Sequence, residues 1–124
     1  MAPIKNLLIV DDSRVSRMLI RRLVEAQRPD WKCTEVASGE EALQIALEQV
    51  FDYATVDVNM TGMDGMLLTK HFHAECPQLR SCLITANFQE ETRHFAETYK
   101  TCLIRKPITE EGIANAISFF EGAS

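Results

Sequence analysis

The chain has 124 residues, 46% of them hydrophobic, with thirteen Lys and Arg against eighteen Asp and Glu for a net charge of −5. That length suits one domain of the usual ~100–200 residues, able to bury roughly two thirds of its chain surface. The acidic balance argues against a nucleic-acid or anionic-membrane face, and the longest strongly apolar run, Leu7 to Val10, is far below the ~20 residues of a membrane span.

No cationic segment leads into a long apolar stretch, so no secretory signal is readable, and a single cytoplasmic domain over 1–124 is expected. Runs rich in Val, Ile, Leu and Cys at 4–10, 32–36, 52–57, 80–85 and 101–105 predict five strands, with helical periodicity between them. The first run, containing LLIV, suits a strand buried on both faces. Val15, Leu19, Leu23 and Ala26 then define one helix face. The second strand mixes in Lys32 and Thr34, as an edge would. Ser38 and Glu41 have capping-box spacing ahead of a helix carrying Ala42, Ile45, Ala46 and Gln49. YATVDV is a second fully buried strand. Leu68 and Phe72 mark a third helix that must stop before Pro77. After SCLI, a fourth helix carries Phe88, Thr92, Phe95, Ala96 and Tyr99. After CLI, Thr109 and two acidic residues open a fifth with Ile113, Ala116, Ile117 and Phe120.

Five strand–helix units in this length imply a parallel sheet with right-handed crossovers and helices on both faces, a three-layer α/β sandwich. An eight-unit barrel needs ~250 residues and is excluded. The four cysteines, at 33, 76, 82 and 102, form no C-x-x-C pair and read as reduced structural thiols. His71 and His73 stand two apart, which on a helix points them to different faces.

Polar groups gather where predicted strands end. Asp11 and Asp12 follow LLIV, Asp57 follows YATV, Thr85 follows SCLI, and Lys106 follows CLI plus one residue. In a parallel sheet these ends share one edge, where open α/β sheets bind ligands. Three converging carboxylates repel one another or collect a cation, and an oxygen-only set suits Mg²⁺, Mn²⁺ or Ca²⁺ rather than zinc. Metal, ammonium and hydroxyl around one carboxylate describe a phosphoryl-transfer site with Asp as nucleophile.

IVDDSR at 9–14, VDVNMTGMDG at 56–65, ITA at 84–86 and RKP at 105–107 closely resemble a bacterial response-regulator receiver domain, nearest the stand-alone CheY-like type. The resemblance covers essentially the whole chain. It implies a flavodoxin-like five-stranded sheet of order 2-1-3-4-5 with five helices. It makes Asp57 the phospho-acceptor, with Lys106 and Thr85 acting on the phosphoryl group. It makes Asp12, Asp57 and the Asn59 carbonyl direct Mg²⁺ ligands (Mn²⁺ being possible), with Asp11 acting mainly through water. Asp64 reads as a helix N-cap, Gly62 and Gly65 as tight-loop residues, and Lys106–Pro107 as a bond often cis in such domains.

The implied function is phospho-acceptance from a histidine kinase or histidine phosphotransfer protein, with altered partner binding, in chemotaxis at a flagellar motor or in a phosphorelay or phosphate sink. Such a protein is a monomer and no enzyme beyond its own phosphorylation and dephosphorylation, with no nucleic-acid or membrane partner. Partners of the family commonly meet a surface that here would draw on 89–99, 101–105 and 109–121. The small-residue tail at 121–124 favours a complete protein.

Three positions depart from the family. Thr61 stands where a loop proline is usual, Leu103 where an aromatic usually reports phosphorylation, and Ile108 where phenylalanine often follows Lys-Pro. A haloacid-dehalogenase-like phosphatase would need an acid where Asn59 stands. A flavodoxin would need a Ser/Thr/Gly-rich phosphate loop where DDSRVS stands.

Overall fold

A computed structural model describes residues 4–122, so the last two tail residues lie outside the described chain. The apolar runs become β1 (Asn6–Val10), β2 (Lys32–Val36), β3 (Tyr53–Asp57), β4 (Arg80–Thr85) and β5 (Cys102–Arg105). They alternate with α1 (Arg14–Gln27), α2 (Gly39–Glu48), α3 (Gly65–Glu75), α4 (Glu90–Thr98) and α5 (Glu110–Phe120). All neighbouring strands pair in parallel, in the order β2-β1-β3-β4-β5. The expected edge strand β2 lies at one end of the sheet.

Strand alternation divides the core. Leu7, Ile9, Tyr53, Cys82, Ile84 and Ile104 face α1 and α5. Leu8, Val10, Ala54, Val56 and Leu83 face Ala42 of α2, Leu68 and Phe72 of α3, and Phe95 of α4. Because successive side chains point to opposite faces, a strand covered on both reads as one unbroken apolar run. Each fully buried Leu or Ile contributes about 1.5–3 kcal/mol.

The expected face of α1 is corrected. Ile20 and Val24 are its buried residues and the expected Leu23 packs half-buried against the same core, while Val15, at 76% exposed, and Leu19 and Ala26 face outward. Arg17 and Arg21 both reach Glu35 on β2, at 3.3 and 3.0 Å, and that pairing goes with the rotation that buries Ile20 and Val24. Gln49 is exposed just past α2, and Phe88 lies in the loop before α4 rather than inside the helix.

The local helix signals hold. Ser38 Oγ accepts from the Glu41 amide at 3.1 Å, and the Glu41 carboxylate accepts from the Ala37 amide at 3.1 Å. Thr109 accepts from Gly112, and α3 ends at Glu75 before Pro77. All four cysteines are free, and burial pushes the Cys33 thiol up to about 11. His71 pairs with Glu75 while His73 meets the Tyr99 ring, so the two do point apart. The Lys106–Pro107 peptide is cis. No helix among the described residues is long and apolar enough to cross a membrane.

Candidate functional site

Parallel pairing brings the polar strand ends to one edge. Asp11 follows β1, Asp57 ends β3, Thr85 ends β4 and Lys106 follows β5. β1 and β3 are neighbours although β2 lies between them in the chain, so strand order reverses here. The crevice outside such a reversal is where α/β sheets take ligands.

Asp57 is 3% exposed and Asp11 is 1% exposed, whereas Asp12 is open to solvent. Oxygens of these three carboxylates all lie within 4.8 Å of one another. Lys106 Nζ is 3.2 Å from Asp57 Oδ1, which also accepts from the Asn59 amide at 3.4 Å. Asp11 Oδ1 accepts from the Ser13 amide at 2.8 Å, and its Oδ2 is buried with no protein partner. Burial pushes both the Asp57 and Asp11 carboxyls above the usual carboxylate range. Lys106 opposes that rise at Asp57, and the Ser13 amide opposes it at Asp11.

The geometry fits a hard divalent cation. An unpartnered buried acceptor costs ~1–3 kcal/mol, and a third anion in the crevice adds repulsion. Both are relieved by Mg²⁺ or Mn²⁺ on oxygen donors, and the clustered donors include no thiolate or imidazole. Asp11, Asp12 and Asp57 are the side chains that would hold it, with Asn59 on the adjoining loop.

Thr85 is buried, and its hydroxyl turns into its own loop. It accepts from the Asn87 amide at 3.1 Å and donates to the Asn87 carbonyl at 3.3 Å. The Lys106 amide donates to the Thr85 carbonyl at 2.8 Å, tying the ends of β4 and β5. A cleft of about 570 Å³ opens beside these groups, lined by Asp12, Asn59, Thr61, Asp64, Thr85 and Asn87 among others. A second cleft of about 550 Å³, around His73, Arg80, Tyr99 and Lys100, contains none of the strand-end groups.

The two loop glycines differ in role. Gly62 has φ +76°, a region glycine enters freely. Gly65 begins α3, where a Cβ would lie 2.2 Å from the Asp57 carbonyl oxygen, so it permits close approach rather than a turn. Asp64 caps α3 as expected, accepting from the Leu67 amide at 2.8 Å. Two features went unread in the sequence. The Glu40 carboxylate accepts from the Met63 amide at 3.2 Å, and the Arg105 guanidinium lies over the Phe88 ring at 4.1 Å. Arg105 sits inside the RKP motif, which was the only available signal; Glu40 had none.

The response regulator receiver domain family matches residues 7–118. The chain is 39% identical over 73 residues to protein-glutamate methylesterase/protein-glutamine glutaminase 2 of Carboxydothermus hydrogenoformans, covering 58% of this chain and 20% of that protein. It is 30% identical over 115 residues to the sensor protein EvgS of Escherichia coli, covering 91% and 9%. The chain thus spans well under half the length of these curated relatives. Among solved structures, the receiver domain of AraT, a response regulator from Geobacillus stearothermophilus, superposes with TM-score 0.84 at 25% identity, covering 96% and 94%. A Vibrio cholerae chemotaxis protein shares the fold with TM-score 0.83 at 21% identity, covering 95% and 99%.

Proposed function

The chain belongs to the response regulator receiver domain family of two-component signalling, and on that premise we propose that Asp57 is its phospho-acceptor. The observation that carries this is the buried Asp57 carboxylate, 3.2 Å from Lys106 Nζ and within 4.8 Å of two further carboxylates. The donor is a phosphohistidine on a histidine kinase or phosphotransfer protein. An Asp57 carboxylate oxygen forms the new P–O bond as the donor's P–N bond breaks, leaving an acyl phosphate and the partner's imidazole.

Mg²⁺, when bound by Asp11, Asp12, Asp57 and Asn59, supplies positive charge for the phosphoryl oxygens. Lys106, at the end of β5 on the same edge, supplies a second cation, and both would stabilise charge that builds in transfer. The Thr85 hydroxyl has a donor to offer once it leaves Asn87. Phosphorylation then alters binding of an output protein. The chain catalyses no reaction beyond its own phosphorylation and dephosphorylation. Relatives aligned over 91–92% of this chain are sensor proteins, which favours a phosphorelay role over the chemotaxis output at a flagellar motor.

With Mg²⁺ and a small acyl phosphate, the protein is expected to acquire one acid-stable, base-labile phosphoryl group. Asp57→Asn abolishes it while leaving the fold intact. Undiminished labelling of that variant would sink the assignment, and turnover of free phosphate esters would instead support a phosphatase.

A further inference from the structure

The acceptor loop, 58–64, carries Asn59 and leads from Asp57 into α3, so its position sets part of the site. Its two ends are well anchored. At the start, the Val58 amide donates to the Ile84 carbonyl at 3.0 Å, and the Asn59 amide reaches Asp57. At the far end, Asp64 caps α3 and Gly65 lies against the Asp57 carbonyl. Between them stands Thr61, with rotational freedom that a proline would lack.

The middle of the loop meets α2. The Met63 amide donates to Glu40 Oε2 at 3.2 Å, a contact between residues 23 apart in sequence. The same carboxylate lies over the left-handed turn at Gly62, where a Cβ would come to 3.1 Å from Oε2. One residue earlier on α2, a Cβ on Gly39 would lie 2.8 Å from the Met63 carbonyl oxygen, so helix and loop backbones are in direct approach. Helix start, left-handed turn and carboxylate therefore form one contact.

We propose that Glu40 is a positioning residue for phosphoryl transfer at Asp57, holding the acceptor loop from α2 where the chain has Thr61. The proposal rests on Asp57 being the acceptor, as argued above. Glu40 touches neither the phosphoryl group nor the cation. It acts through Met63 on a loop whose other end presents Asn59. A loosened loop presents Asn59 less often, so the defect belongs in the Mg²⁺ requirement more than in the rate at saturating Mg²⁺.

Charge alone gives the same sign, because removing an anion near an acidic site weakens its pull on Mg²⁺, but it does so equally in Glu40→Ala and Glu40→Gln. Loss of the loop contact is specific to Glu40→Ala. The test is the rate of Asp57 labelling by a small acyl phosphate across a Mg²⁺ titration, in the whole chain. Glu40→Ala is expected to raise half-saturating Mg²⁺ roughly three- to tenfold, the scale one hydrogen bond supports, with the saturated rate changed less than about twofold. Glu40→Gln, which keeps an acceptor oxygen, recovers most of that loss. In a Thr61→Pro background Glu40→Ala has a smaller effect, because two restraints on one loop are not additive. Melting temperatures within about two degrees of the parent show that the change is not general destabilisation.

Unchanged Mg²⁺ dependence in Glu40→Ala overturns the proposal, as does a loss in Glu40→Gln equal to that in Glu40→Ala. A full Glu40→Ala effect retained beside Thr61→Pro overturns it too. If the parent protein itself is not labelled at Asp57, the acceptor assignment fails instead, and the two failures are thereby distinguishable.

Discussion

Asp57 stands between opposing pulls, burial favouring its neutral form and Lys106 at 3.2 Å favouring its charged form. Burial prevails, so its carboxyl titrates above the ordinary value of 3.8. In the window between that value and the raised folded one, the native state binds more protons than the unfolded state, so protonation there stabilises the fold. At pH 7 the charge is a net cost, which Asp57→Asn removes at nearly constant volume. That variant is expected to melt several degrees above the parent at pH 7, with ~1 kcal/mol corresponding to roughly 3–6 °C at this size. The gap should narrow as pH falls from 7 through the raised folded value, where the parent's own carboxyl becomes neutral. A gap independent of pH in thermal melts would show that Asp57 is not the group responsible. Asp12 is exposed and carries little of this burial cost, yet it shares the cluster. Asp12→Ala should therefore weaken Mg²⁺ binding by roughly tenfold or more in calorimetry, since a site tuned by ligand charge loses one of its carboxylates. Unchanged affinity would remove Asp12 from the ligand set.

At the scale of elements, the ends of β4 and β5 are linked in a way that bears on output. The Thr85 hydroxyl is held twice by Asn87, the next residue Phe88 lies under Arg105, and the Lys106 amide holds the Thr85 carbonyl. A hydroxyl drawn toward an anionic group on Asp57 must release Asn87 first. Leu103, half-buried on β5 against the α2–α4 side of the core, has no hydroxyl and little apolar area to exchange. Phosphorylation is accordingly expected to change amide hydrogen exchange most at 86–89, with a smaller change at Leu103. Leu103→Tyr should enlarge the response on β5, and Leu103→Ala should leave labelling of Asp57 unaffected. Dominant protection changes at Leu103 in the parent would contradict this. The same elements mark what the sequence discloses. Strand ends and caps are local, so Asp11, Asp57, Thr85, Lys106, Ser38, Asp64 and Thr109 could all be located by reading along the chain. The face of α1 turned on Glu35, in the following strand, and the Glu40 contact spans 23 residues; neither leaves a local pattern.

At the scale of the whole molecule, the two edges of the sheet do different work. β1 and β3 read clearly because burial on both faces leaves an unbroken apolar run, and that legibility lets the strand-end chemistry be grouped from the order of residues alone. The opposite edge, where Trp31 precedes β2, was legible only as apolar residues. There the Trp31 and Tyr53 rings lie 4.9 Å apart and Tyr53 stacks on Phe120 at 4.7 Å, joining the sheet to α5. Strands of about five residues put roughly 15 Å between this cluster and the carboxylates. A buried ring truncated to alanine loses its packing and leaves a cavity, so Phe120→Ala should cost ~3–5 kcal/mol in urea unfolding. Arg28 and Glu121 pair nearby at 2.7 Å but are about 40% exposed, so Arg28→Ala should cost no more than about 1 kcal/mol. Neither change touches the site, and labelling of Asp57 per folded molecule should match the parent. Trp31, 8% exposed, is the single tryptophan. Its emission should therefore follow urea unfolding in full yet stay constant when Mg²⁺ or a phosphodonor is added, while calorimetry on the same sample registers Mg²⁺ binding. A marked change in Trp31 emission on phosphorylation, with the fold intact, would mean that the sheet carries the signal from one edge to the other and that stability and switching share the aromatic cluster.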